Sequence, residues 1–102
     1  MDILVRIKRA VLAGRCQFTD KARTEMITDC ITEQDVVESV VNAVAIYKRI
    51  RSTSPYREAA REYLYIIEAP NLNGMAIYSK GKLVSEGGAD TYYVLVSAKR
   101  AM

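Results

Sequence analysis

Lysine, arginine and tyrosine recur inside strand-like apolar runs at three places: Ile46-Tyr47-Lys48-Arg49-Ile50-Arg51, Ala76-Ile77-Tyr78-Ser79-Lys80-Gly81-Lys82 and Tyr92-Tyr93-Val94-Leu95-Val96-Ser97-Ala98-Lys99-Arg100. Successive side chains of a strand point to opposite faces, so such runs set cations and phenols on one face while the other builds a core. That is a platform for phosphates and bases. Cleaving an RNA phosphodiester through its adjacent 2′-hydroxyl takes a group that removes the 2′ proton, cations that hold charge on the phosphorus oxygens, and a donor for the leaving 5′ oxygen. The chain has no histidine, so lysine, arginine, tyrosine or glutamate must fill these roles. Among other cations a desolvated lysine titrates low enough to act as base or acid, and arginine is a permanent phosphate clamp.

The period of two puts Met75, Ile77 and Leu83 on one face of a strand and Ala76, Tyr78, Lys80 and Lys82 on the other. In the last strand it groups Tyr92, Val94, Val96 and Ala98 against Tyr93, Leu95, Ser97 and Lys99. Neighbouring strands then bring Tyr78, Lys80 and Lys99 together. Lys48 and Arg51 fall on opposite faces of a regular strand, unless one of them sits past a bulge or at the strand end. Plainer readings stand beside these. Tyr47, Tyr63, Tyr65, Tyr92 and Tyr93 suit sheet packing, Lys80 and Lys82 suit a solvated face, Lys99 and Arg100 a solvated terminus, and Glu58 and Glu62 ordinary ion-paired carboxylates.

The elements that must hold these residues follow from periodicity. Ile3, Leu4, Ile7, Val11 and Leu12 share a helical face, and Gly14 ends that helix. Arg15 to Phe18 reads as a short strand. Thr19 caps a second helix whose Ala22, Met26, Ile27 and Cys30 keep the 3.6-residue period. Thr32 caps a third with acidic residues in its first turn, Ile31 spaced to staple against Val36, and a stripe of Val36, Val37, Val40 and Val41. From Val44 the pattern is strand-like, interrupted by Ser52 to Arg61, a loop or helical turn, and by turns at 70 to 74 and 86 to 90. The expected fold is α+β, with N-terminal helices packed on a C-terminal antiparallel sheet in one domain over 1–102.

Half of the 102 residues are apolar and two are proline, enough for one core and no more. The net charge of +3 hides an asymmetry. Residues 1 to 43 hold six Lys/Arg against seven Asp/Glu, and residues 44 to 102 hold nine against five, giving −1 and +4. The positive field belongs to the sheet, where it steers anions. No apolar run approaches the roughly 20 residues of a membrane span, and the N-terminus opens no signal-peptide pattern, so a cytoplasmic protein is expected. Cys16 and Cys30 lack a CxxC neighbour and any histidine, which argues against a metal and for two buried, reduced thiols. No cofactor is expected.

Phe18-Thr19-Asp20-Lys21-Ala22-Arg23, followed by Ile31-Thr32-Glu33-Gln34-Asp35-Val36, resembles the helical half of small bacterial proteins grouped with the MqsR toxins and a related family of uncharacterised domains. Tyr47-Lys48, Ile77-Tyr78-Ser79-Lys80 and Val96-Ser97-Ala98-Lys99 are similar to the MqsR strand motifs, in order. The resemblance implies a RelE-like fold and a metal-independent mRNA endoribonuclease, an mRNA interferase that stops translation until a cognate antitoxin neutralises it. It implies functional roles for Lys48, Tyr78 and Lys99, and with one gap it sets Glu62 near a family glutamine. Arg51, Lys80, Lys82 and Arg100 would bind the RNA. Relatives in the uncharacterised group often carry histidine where this chain has Lys21 and near the end where it has Lys99, so the catalytic scheme would differ or be lost. The loop from Ser52 to Arg61 and the turns at 70 to 74 and 86 to 90 are longer than in MqsR, which leaves the substrate open.

Two other readings use the same residues. A non-catalytic module would use the basic face to bind an acidic protein partner or nucleic acid without cleavage, and a homodimer or larger homo-oligomer would form by pairing exposed strand edges.

Overall fold

The computed structural model describes residues 2–52, 62–86 and 89–101, so most of the loop after Ser52 and the tip of the turn at 86 to 90 lie outside the described residues. The chain runs α1 (Ile3–Leu12), β1 (Cys16–Phe18), α2 (Asp20–Asp29), α3 (Glu33–Asn42), β2 (Lys48–Arg51), β3 (Tyr63–Pro70), β4 (Ala76–Glu86) and β5 (Ala89–Arg100). The fold is α+β. Strands β2 to β5 form an antiparallel meander, but β1 joins β5 in parallel, giving the order β1-β5-β4-β3-β2. The sheet is therefore mixed rather than antiparallel throughout.

Each helix begins where its capping chemistry begins. Asp2 accepts the Leu4 N–H, Thr19 accepts the Ala22 N–H, and Thr32 with Asp35 forms a reciprocal capping box. These side chains satisfy amides that the first turn leaves without partners. At the far end of α3, Lys8 Nζ donates to the Ala43 carbonyl, a cation set against the negative end of the helix.

Leu4, Ile7, Ala10 and Val11 of α1, Met26 of α2, and Val36 and Val40 of α3 meet Tyr65, Ile67, Ala69, Ile77, Tyr93 and Leu95 in one core. Helices α1 and α3 cover this face of the sheet, and α2 runs along β5. Two expected stripe positions turn outward. Ile27 is 78% exposed, and Cys30 is an exposed residue in the left-handed conformation that ends α2. Only Cys16 is partly buried, and burial, with Glu33 nearby, pushes its thiol up to about 11.

Asp35, Glu38, Ser39 and Asn42 form a polar stripe on α3 that docks on the end of β3 and the following turn. Ser39 Oγ donates to Ala69 O at 2.7 Å, Asn42 Nδ2 donates to Pro70 O at 3.2 Å, and Glu38 Oε1 accepts the Leu72 N–H at 3.1 Å. Asn71, 3% exposed, donates its amide to Asp35 and accepts the Asn73 and Met75 N–H groups. The Thr32 N–H first, then the Thr32 hydroxyl and Asn71, holds the Asp35 carboxyl below its ordinary value against a smaller opposing effect of burial.

Tyr93 lies fully buried across Gly81, where an added Cβ would stand 2.5 Å from the Tyr93 ring. Among the described residues its hydroxyl has no hydrogen-bond partner. Opposite outcomes are expected from two substitutions at this contact. Gly81→Ala overpacks it and costs about 1–3 kcal/mol, whereas Tyr93→Phe, which removes an unpartnered buried hydroxyl, is neutral or stabilising by about 1 kcal/mol. Urea unfolding of both variants checks this.

Candidate active site on the open face

Strand β4 presents Tyr78, Lys80 and Lys82 on the face opposite the core, and the register supplies their neighbours. Tyr78 stands between Glu68 of β3 and Lys99 of β5. Lys80 stands between Ile66 and Ser97, and Ile66 is in turn paired with Lys48 of β2. Lys82 is opposite Val94. Lys48, Tyr78, Lys80, Lys82 and Lys99 thus share one face, with Lys48 roughly 10 Å of backbone from Lys80, two strand spacings.

Lys99 reaches this face through an irregularity. Between Lys80/Ser97 and Gly81/Leu95 the register shifts, leaving Val96 as an extra residue. Tyr93 and Leu95 point into the core, and beyond the bulge Ala98 does. The strict alternation that groups Lys99 with Tyr93 and Leu95 therefore fails, and Lys99 takes its place beside Tyr78 instead. Its Nζ lies 5.4 Å from the Tyr78 ring centroid, a cation–π contact. Burial first, and then the carboxylates of Glu68 and Glu25, push the Tyr78 phenol above its ordinary value. Tyr78 stays protonated at neutral pH and is a proton donor.

Farther along β4, Lys21, Ser52, Glu62, Leu64, Lys80, Lys82 and Val96 line a hollow of about 230 Å³. Lys82 and Glu62 form an ion pair there at 3.4 Å with both side chains largely covered. Lys82 lies four positions beyond Tyr78, roughly 14 Å along the strand. Glu62 therefore belongs with the cations of the hollow and does not meet Tyr78 around a single phosphate.

Two expected RNA ligands turn away. Arg51 pairs with Tyr63 and follows the side of β2 that carries Arg49, whose guanidinium lies 4.2 Å from the Tyr63 ring. Arg100 is opposite Ile77, and its backbone N–H and Nε donate to Asp29 Oδ2 and to the Asp29 carbonyl. Neither joins the open face.

Residues beyond the sequence-derived set complete the site. Glu68 was legible in principle, because the period of two in Glu62-Tyr63-Leu64-Tyr65-Ile66-Ile67-Glu68 puts it on the face of Glu62. Glu25 had no signal beyond its i,i+4 spacing to Asp29. It accepts Ser97 Oγ at 2.7 Å and the Ala98 N–H at 3.2 Å, and pairs with Lys21 at 3.3 Å. Burial pushes the Glu25 carboxyl up, but the Ser97 hydroxyl, Lys21 and the Ala98 amide together outweigh it and hold the group below its ordinary value.

Among the described residues no group of three or more His, Cys, Asp or Glu stands where it would hold a metal, and no helix is long and apolar enough to cross a membrane. No protein-family model, curated protein or solved structure matches the chain.

Replacing Glu25 by alanine strands the Ala98 N–H and the Ser97 hydroxyl and is expected to cost about 1–3 kcal/mol. Because its folded pKa is depressed, Glu25 stabilises the fold above its unfolded value near 4 and loses that contribution as pH falls through the folded one. Denaturation as a function of pH should show wild type losing stability below about pH 4 more steeply than Glu25→Ala.

Proposed function

We propose that this chain is the toxin of a type II toxin–antitoxin pair, an mRNA endoribonuclease of the MqsR and RelE kind that acts on the open face and is silenced by its cognate antitoxin. One observation carries the reading: Tyr78, a phenol that stays protonated, stands in direct cross-strand register with Lys99 on one side and Glu68 on the other. A proton donor, a cation and a carboxylate so arranged match the three needs of 2′-hydroxyl cleavage.

In this reading Glu68 takes the 2′ proton as the 2′ oxygen bonds to phosphorus. Lys99 and Lys80 hold the charge on the non-bridging oxygens. The bond from phosphorus to the 5′ oxygen breaks, and Tyr78 gives its proton to that oxygen. The products are a 2′,3′-cyclic phosphate and a 5′-hydroxyl, and Glu68 and Tyr78 recover their starting states by exchange with water. Lys48, Lys82 and Lys21 hold flanking phosphates as point charges.

Expression of wild type from a tightly controlled promoter should arrest growth and generate new, sequence-biased 5′-hydroxyl RNA ends. The triple variant Lys48→Ala/Tyr78→Phe/Lys99→Ala should do neither. Normal growth with no new ends from soluble, folded wild type would leave the non-catalytic binding module in its place. With purified protein, Tyr78→Phe alone should lower kcat by roughly 10²- to 10⁴-fold, the usual weight of a general acid. Because the Tyr78 phenol is pushed up, the share of the alkaline limb of kcat that Tyr78 causes should set in above the ordinary phenol value in wild type and be missing in Tyr78→Phe.

A further inference from the structure

Behind Glu68, at the entry to β2, lies a second and larger hollow of about 390 Å³ lined by Asn42, Ala43, Val44, Ala45, Tyr47, Glu68, Ala69 and Pro70. The mechanism leaves it unused. Two of its residues are apolar or aromatic side chains that the fold leaves in solvent: Val44 is 98% exposed and Tyr47 68%. Neither belongs to the core. Yet the backbone of Tyr47 is fixed, its N–H donating to Ile66 O at 2.8 Å, so the ring stands on an anchored position. Glu68 lines this hollow and is also the cross-strand partner of Tyr78.

We infer that this hollow is a nucleobase subsite, holding the base of the nucleotide on the 5′ side of the scissile phosphate, with Tyr47 as its stacking surface. The inference rests on the RNase reading and deepens it. In a ribonucleotide the base and the 2′-hydroxyl are on adjacent ribose carbons. Setting the hydroxyl at the Glu68 carboxylate therefore leaves the base within a few bond lengths of that carboxylate. Toward β4 and β5 that space is taken by the phosphate held between Tyr78, Lys99 and Lys80. On the other side it is the hollow. An exposed phenol is suited to the π-face of any base, and the apolar Val44, Ala45 and Pro70 exclude water around it without presenting charge. The RNA then runs from the α3–β2 junction, across Tyr78, toward the lysines of β4.

The test uses two short single-stranded RNAs that differ only in an abasic ribose on the 5′ side of the mapped cleavage position, each also made as an uncleavable 2′-deoxy version at that nucleotide. Stacking of one base corresponds to about a 5- to 140-fold effect. For wild type, loss of the base should weaken binding of the uncleavable RNA by that factor and slow cleavage at least as much. Tyr47→Ala should bind the intact RNA as weakly as wild type binds the abasic one, with no further loss on the abasic RNA, while Tyr47→Phe should restore the wild-type preference. Equal wild-type affinity and cleavage for intact and abasic RNA would overturn the subsite and leave the RNase reading standing. Tyr47-dependent binding of the intact base without cleavage would uphold the subsite as a binding site and end the catalytic reading. Equal loss on both RNAs in Tyr47→Ala would mean that Tyr47 supports the sheet, and would overturn its assignment as the stacking surface.

Discussion

The open face depends on how the outer side of β5 is satisfied once β1 ends. β1 is three residues long and covers β5 only from Tyr93 to Leu95. At that point the chain turns into α2, and the helix takes over with side chains. The Thr19 N–H donates to Leu95 O and its hydroxyl to Val96 O. Glu25 accepts the Ala98 N–H, and one helical turn later Asp29 accepts the Arg100 N–H. Carboxylates at i and i+4 on the helix match amides at j and j+2 on the strand, because 1.5 Å of rise per helical residue against about 3.4 Å per strand residue gives nearly equal steps. A strand edge that would otherwise invite pairing is closed by charge-assisted hydrogen bonds. The hand-over coincides with the bulge at Val96, and that one extra residue moves Lys99 from the core side to the side of Tyr78.

The opposite end of the sheet is held by the same logic in reverse, with a helix supplying donors as well as acceptors. Positions 35, 38, 39 and 42 of α3 lie on one helical flank beside the apolar Val36 and Val40, so a single rotation of the helix buries its core stripe and docks its polar stripe on residues 69–72. Buried Asn71 closes the turn from within. This fixes the end of β3, and with it Glu68, two residues before Pro70. The two helix-to-strand docks therefore position the two residues that flank Tyr78, Lys99 through α2 and Glu68 through α3.

Local chemistry was readable in the sequence and long-range geometry was not. Thr19 and Thr32 mark their helix starts because capping is decided within four residues, and Tyr78, Lys80 and Lys82 share a face because β4 is regular there. The helices-then-sheet order was equally legible. The parallel pairing of β1 was not, since three residues carry no directional pattern. Nor was the bulge at Val96: a run of Val, Ser and Ala is compatible with either register, and the choice is made by α2, some 70 residues away in sequence. The same cause undoes the grouping of Lys99 with Tyr93 and Leu95, although the meeting of Lys99 with Tyr78 that the sequence suggests is found, and it hid Glu25. That Lys48 and Arg51 lie on opposite faces of a regular strand was legible, and β2 is regular; Arg100 rests on its charge alone, which is blind to face, and is instead claimed by the end of α2. For Ile27 and Cys30, the helical period ran on past the point where α2 leaves the core.

Charge neutralisation divides the open face into two ends that differ in what they can bind. Glu62 answers Lys82, and Glu25 answers Lys21. Among the described residues no carboxylate lies within ion-pair distance of Lys48, Lys80 or Lys99. Exposed ion pairs contribute little to stability, so leaving these three lysines unpaired costs the fold little, while their summed positive potential draws a polyanion. Lys99 stands in register with Tyr78, whereas Lys80 lines the hollow together with the paired Lys82 and Lys21. An incoming phosphate gains more beside Lys99 than beside Lys82, where it must compete with Glu62. In the proposed RNase reading the scissile phosphate would go to Tyr78 and Lys99, a phenol and a cation in direct register, and Lys82 and Lys21 would guide the chain that follows it.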